Sequence, residues 1–173
     1  MTNIHNLFKF IQSKNPEYRV PLRYKLLNDP NSIEEEDLIV KGNLDLRNTP
    51  ITSLPNNLKV GGHLNLENTP ITSLPNNLKV KGYLNLRNTK ITSLPDNLQV
   101  GGYLNLYNTP ITSLPNNLQV EGDLYLRNTK ITSIPNSLQI GGDLDLINTP
   151  ISKKYTEEEI KQMVPGIKGD IYL

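Results

Sequence analysis

VKGNLDLRNTPITSLPNNLK, running from Val40 to Lys59, decides the fold, because the chain then writes it again and again. VGGHLNLENTPITSLPNNLK follows from Val60, VKGYLNLRNTKITSLPDNLQ from Val80, VGGYLNLYNTPITSLPNNLQ from Val100 and VEGDLYLRNTKITSIPNSLQ from Val120. IGGDLDLINTPI opens a sixth unit at Ile140, and IKGDIYL, from Ile167 to Leu173, restates that opening. A fixed period of this length marks an array whose units bury their apolar faces against one another.

The first half of the unit alternates. Val40, Gly42, Leu44 and Leu46 share one parity, and Lys41, Asn43, Asp45 and Arg47 the other. Period two predicts a strand with its leucines inward and its polar side chains in water. A glycine at an inward position leaves room for close approach or a bend. The Asn48–Thr49 pair then turns the chain, since both side chains can bond nearby backbone. Ile51, Leu54 and Leu58 point inward again, while Pro55 pushes Leu54 out of the helical region, leaving extended or 3₁₀ backbone. Six apolar residues in twenty cannot hold one coil against its conformational entropy. The coils must therefore stack, joining their strands into a parallel ladder about 30 Å long.

Leu44-x-Leu46-x-x-Thr49-x-Ile51 resembles the leucine-rich repeat, with Thr49 where Asn or Cys usually stands. The Thr-Ser-Leu-Pro-x-x-Leu segment after it is similar to the short, twenty-residue class found in bacterial effectors and phage-type proteins. The resemblance covers Val40 to Ile151 and the final strand. It implies an α/β solenoid: a right-handed coil with a parallel β-sheet on one face and 3₁₀ or extended segments on the other. Effector relatives carry two Leu-Pro steps per coil, and some add a ubiquitin-ligase domain. This chain has one step and no space for that domain, so no family enzymatic activity carries over.

The organisation expected is a helical cap over residues 1–39, six repeats over 40–151 with the last one partial, and a capping helix with a closing strand over 152–173. Ile4, Leu7, Phe8 and Ile11 recur at helical spacing, which predicts an amphipathic capping helix, and PLRYKLLND predicts a second. Phe8 and Phe10 cannot share one core, so one of them is expected outside. Ser32 with Glu35, and Thr156 with Glu159, have capping-box spacing, and Pro165–Gly166 stops the last helix.

Composition narrows the function. With 173 residues the chain has the length of one domain, 36% of them hydrophobic and 20% charged. The complete absence of alanine, the best helix former, argues against a helical bundle. Eighteen basic residues against seventeen acidic ones leave no overall field to steer it onto nucleic acid. Without cysteine there is no disulfide or thiolate chemistry, and His5 and His63 lie far apart, so neither a metal nor a cofactor is expected. Apolar runs are too short to span a membrane, and MTNIHNLFKF lacks the apolar stretch of a secretory signal. A cytoplasmic location, in the producing or a host cell, is expected, with export by a route needing no cleavable signal left open.

No catalytic residue is expected. Ser53 and its equivalents, and the Asn48 ladder, recur in nearly every coil, whereas a nucleophile is needed once. The informative positions are those where the coils differ, which are the outward strand positions. Five of the eight tyrosines fall there. The expected binding face comprises Tyr83, Tyr103, Tyr107, Tyr125 and Tyr172, with Arg47, Arg87 and Arg127, His63, Glu67, and the aspartates Asp123, Asp143 and Asp145. Tyr and Arg supply large, low-entropy contacts in protein interfaces. The aspartates gather towards the C-terminal coils, as a solvated surface, offset by Arg127 and Lys168, or of use to a basic partner; a divalent cation could settle there, but no Ca²⁺ loop pattern supports it. A monomer that binds another protein is the expected function, in a phage or bacterial accessory protein that inhibits or scaffolds a host protein. A structural or self-assembling solenoid using the sheet edge at Leu173 or the convex surface is the first rival. A nucleic-acid binder using stacked tyrosines is the second, disfavoured by the acidic group.

Overall fold

The computed structural model describes residues 2–173, and within α1 nothing is described for the side chains of Thr2, Asn3 and His5. It is a parallel β-solenoid with two sheets. The first has six strands: β1 (Ile39–Val40), β3 (Lys59–Val60), β5 (Lys79–Val80), β7 (Gln99–Val100), β9 (Gln119–Val120) and β11 (Gln139–Ile140). The second has seven: β2 (Leu44–Asp45), β4 (Leu64–Asn65), β6 (Leu84–Asn85), β8 (Leu104–Asn105), β10 (Leu124–Tyr125), β12 (Leu144–Asp145) and β13 (Ile171–Tyr172). Residues twenty apart pair in register, Leu44 with Leu64 and Leu124 with Leu144.

The continuous strand expected from Val40 to Leu46 is broken. A bend at Lys41–Gly42, and at each equivalent pair, divides it between the two sheets. From the second coil on, the chain packs closely against the preceding coil at this bend. A Cβ on Gly102 would lie 2.9 Å from the Tyr83 nitrogen of the preceding coil, so the backbones touch there. The remainder of each complete coil is extended with two turns, and among the described residues 3₁₀ turns occur only near the ends, at Pro30–Ser32, Glu35–Leu38 and Ile151–Lys153.

The inward set is as expected. Leu64, Leu66, Ile71, Leu74, Leu78 and Val80 are all buried, and the same positions repeat along the axis into one core. Two asparagines turn most coils. Asn48, Asn68, Asn88, Asn108, Asn128 and Asn148 have φ between 56° and 59°, and a second set at Asn57, Asn77, Asn97 and Asn117 has φ between 57° and 62°. Asparagine tolerates this left-handed region better than other side chains carrying a Cβ. Its amide does not bond local backbone as expected; it donates to the asparagine of the preceding coil, as from Asn88 Nδ2 to Asn68 Oδ1 at 2.8 Å. The neighbouring threonine is buried and donates to the carbonyl three residues back, Thr89 to Leu86 at 2.7 Å.

Helices close the ends. α2 (Leu22–Asn28) buries Leu22 and Leu26 against the core. α1 (Thr2–Lys14) packs Phe8 edge-on against Tyr24, with ring centroids 4.6 Å apart, yet leaves Ile4, Leu7 and Phe10 exposed. The expectation that Ile4 and Leu7 face the core is thus overturned, because α2 already occupies the end of the stack. The capping box before the first strand is formed by Glu34 and Asp37, not by Ser32 and Glu35, since Ser32 spends its hydroxyl on the Asp29 carbonyl. At the far end Thr156 and Glu159 do cap α3 (Glu157–Met163), which buries Ile160. Among the described residues no helix is long and apolar enough to cross a membrane.

Candidate functional site

Three outward columns run along the second sheet. The first begins at Asn43 and passes through His63, Tyr83, Tyr103, Asp123, Asp143 and Asp170. Its side chains do two jobs. Asn43 Oδ1 accepts the His63 N–H at 2.8 Å, His63 Nδ1 accepts the Tyr83 N–H at 3.1 Å, and Asp123 Oδ1 accepts the Asp143 N–H at 2.9 Å. Asp143 Oδ1 in turn accepts the Asp170 N–H at 2.9 Å. The polar members therefore cap the backbone of the next coil. The aromatic members stack instead: His63 on Tyr83 with centroids 4.0 Å apart, and Tyr83 on Tyr103 at 4.6 Å, both nearly coplanar.

The second column is mostly scaffold. Asp45, Asn65, Asn85, Asn105 and Asp145 each accept the N–H two residues on through Oδ1, at 2.9 to 3.1 Å. This fold-back bond steadies the strand end. Asn65 and Asn85 are buried by it, so these outward-parity positions are not binding surface. Asp145 belongs with them, its side chain only 13% exposed and held at 3.0 Å by Arg127. Tyr125 departs from the column. It gives up the fold-back bond, meets Tyr103 edge-on at 5.8 Å and donates its hydroxyl to Asp123 Oδ2 at 2.8 Å. A continuous aromatic ridge results, His63–Tyr83–Tyr103–Tyr125, across four coils.

The third column holds the arginines and Tyr107. Arg47 pairs with Asp45 at 2.8 Å, Arg87 with Glu67 at 3.7 Å and Arg127 with Asp145 at 3.0 Å. The Arg87 guanidinium also lies 4.9 Å over the Tyr107 ring, which separates Tyr107 from the ridge. Glu67 further accepts from Asn85 Nδ2 at 3.2 Å. Among the described residues Lys168 closes no ion pair with the aspartates. Hydrogen bonds steady them instead, since Asp143 also accepts from the Tyr172 hydroxyl at 3.4 Å. No group of three or more His, Asp or Glu among the described residues is arranged to hold a metal ion.

The field at this end acts on the phenols. The Tyr125 hydroxyl is pushed up to about 12, first by its bond to Asp123, then by burial, then by the charge of Asp123. Tyr103 is raised by burial and then by Tyr83. Tyr172 is raised chiefly by the charge of Asp143. All three stay protonated near neutral pH, with the Tyr125 and Tyr172 hydroxyls donating to Asp123 and Asp143.

Sequence reasoning missed the fold-back column and the directional capping in the first column. The signal was present, as Asp or Asn stands two residues before Arg47, Glu67, Arg87, Tyr107 and Ile147. In comparisons with known proteins, no family model, no curated protein and no solved structure matches this chain.

Proposed function

We propose that this protein is a leucine-rich-repeat module of the short twenty-residue class, and that it binds another protein through the aromatic ridge on its second sheet. The repeat assignment rests on Leu44-x-Leu46-x-x-Thr49-x-Ile51, whose four named positions face the interior in coil after coil. The binding assignment rests on one observation: Tyr125 replaces a fold-back carboxylate or amide that every other complete coil retains. That exchange gives up the fold-back bond and puts a large rigid ring on the surface, beside Tyr103 and bonded to Asp123, which is the kind of side chain contact surfaces use. Arg47, Arg87 and Tyr107 flank the ridge on one side and the aspartates extend it, which orients a partner by charge. The role is non-enzymatic, in a phage or bacterial accessory protein acting on a host protein.

A tagged pull-down from bacterial lysate, run beside a Tyr103→Ala/Tyr125→Ala variant of unchanged circular dichroism, tests this. A specific protein retained by wild type and lost by the variant is expected. Equal retention by both moves the site to another surface.

A further inference from the structure

Gly42 is a glycine that the isolated molecule does not need. Its equivalents Gly62, Gly82, Gly102, Gly122, Gly142 and Gly169 all sit where a Cβ would collide with the preceding coil, for example 2.9 Å from the Tyr103 nitrogen at Gly122. Around Gly42 there is nothing within 4 Å, and its φ is not positive. The place where a preceding coil would lie is instead an open groove of about 710 Å³. Val20, Leu22, Ile39, Val40 and Leu44 line it together with Arg23, and Ile39 is 59% exposed.

We propose that this groove receives the closing rung, residues 166–173, of a second copy of the chain, so that molecules associate head to tail. The backbone atoms are complementary. In the parallel ladder Leu44 donates to His63 O, so Asn43 and Asp45 turn their N–H and C=O groups away from the second coil and into the groove. At the other end Leu144 donates to Asp170 O and Leu146 to Tyr172 O, which turns the N–H and C=O of Ile171 outward by the same alternation. Ile171 of one copy therefore donates to the Asn43 carbonyl of the next and accepts from its Asp45 N–H, while the Asp45 carbonyl keeps its bond from the Arg23 guanidinium.

Side chains match in the same direction. In the first column the residue of each polar rung accepts the N–H of the rung after it, ending with Asp143 accepting from Asp170. Asp170, exposed and next in that series, is the acceptor that the Asn43 N–H lacks. Gly169 would then lie under Gly42, backbone against backbone, as Gly142 lies under Gly169. Among the described residues the exposed large apolar side chains lie only at the two ends, Ile39 in the groove with Ile4, Leu7 and Phe10 on α1 outside it, and Met163, Tyr172 and Leu173 at the far end. The helices α2 and α3 plug the interior at each end but leave this corner of the two sheets open. An unlike pair of surfaces of this kind repeats without closing, giving chains of molecules rather than a dimer.

Sedimentation velocity across a wide concentration range tests the proposal. Wild type should sediment faster as concentration rises. Gly42→Ala should associate about tenfold more weakly or worse, with an unchanged melting temperature in dilute solution, because its methyl meets only the incoming rung. Asp170→Ala impairs the opposite end, so a mixture of the two variants should form pairs that neither forms alone. A wild type that stays monomeric at every concentration overturns the proposal. So does a Gly42→Ala protein that associates as tightly as wild type, or a mixture no better than its parts.

Discussion

Tyr125 shows how one position changes both the chemistry and the energetics of a repeated surface. Its phenol has a folded-state value of about 12 against an ordinary 10, with the hydrogen bond to Asp123 as the largest cause. A group raised in this way holds its proton more tightly folded than unfolded. The stability it carries is complete below pH 10 and is lost as the pH climbs from 10 towards 12. Asp123→Asn should bring this phenol down towards the ordinary range, and Tyr125→Phe should delete the highest-titrating component of the tyrosinate absorbance curve. An Asp123→Asn curve identical to that of wild type would show that the bond does not control the titration. At the same scale, the Asn-Thr pair serves two physical needs at once. Asparagine takes the left-handed turn and bonds along the axis, while threonine fills the core and satisfies a carbonyl.

At the scale of elements, the N-terminal cap is joined to the first coil by a buried ion pair. Lys25 of α2 is 8% exposed, and its Nζ reaches Asp37 Oδ2 at 2.6 Å and the Ser32 carbonyl at 2.9 Å. Asp37 also accepts the Glu34 N–H at 2.8 Å, so one carboxylate ties helix α2 to the turn that launches β1. Removing one partner strands the other charge in the interior. Lys25→Met should cost about 3 kcal/mol in denaturant unfolding, and Lys25→Met/Asp37→Leu should recover most of it. A single-variant loss below about 1 kcal/mol would place the pair with weak surface bridges instead. Neither residue has a periodic neighbour, and a lysine in a helix pattern ordinarily reads as solvent-facing. This element was therefore invisible to the pattern that made the coils so legible.

Over the whole molecule, stability is a sum of like interfaces between coils, so length and register matter in different ways. Deleting residues 81–100 joins Val80 to Gly101 and removes one complete period. The product should fold cooperatively with a lower melting temperature. Deleting 81–99 instead leaves one extra residue, which turns the following outward side chains inward until the chain bulges. That variant should lose most of its cooperative transition in calorimetry. Equal stability in the two deletions would mean that the twenty-residue register is not what holds the stack.

The sequence by itself determined the period, the inward set of leucines and isoleucines, the parallel pairing and the presence of helices at both ends. These follow from local patterning, repeated often enough that chance and context average out. It also pointed to the tyrosines of the second sheet. Only the tertiary structure decided that each strand divides at its glycine into two sheets, and that from the second coil on this glycine lies against the backbone of the coil before. The same holds for which face residues are scaffold. Asn65, Asn85 and Asp145 share the parity of Tyr125, yet they turn back onto their own backbone, while Tyr125 crosses a rung to close the aromatic ridge. Parity sorts inside from outside. Which outward side chains are free for a partner depends on hydrogen bonds between neighbours that only the stacked coils bring together.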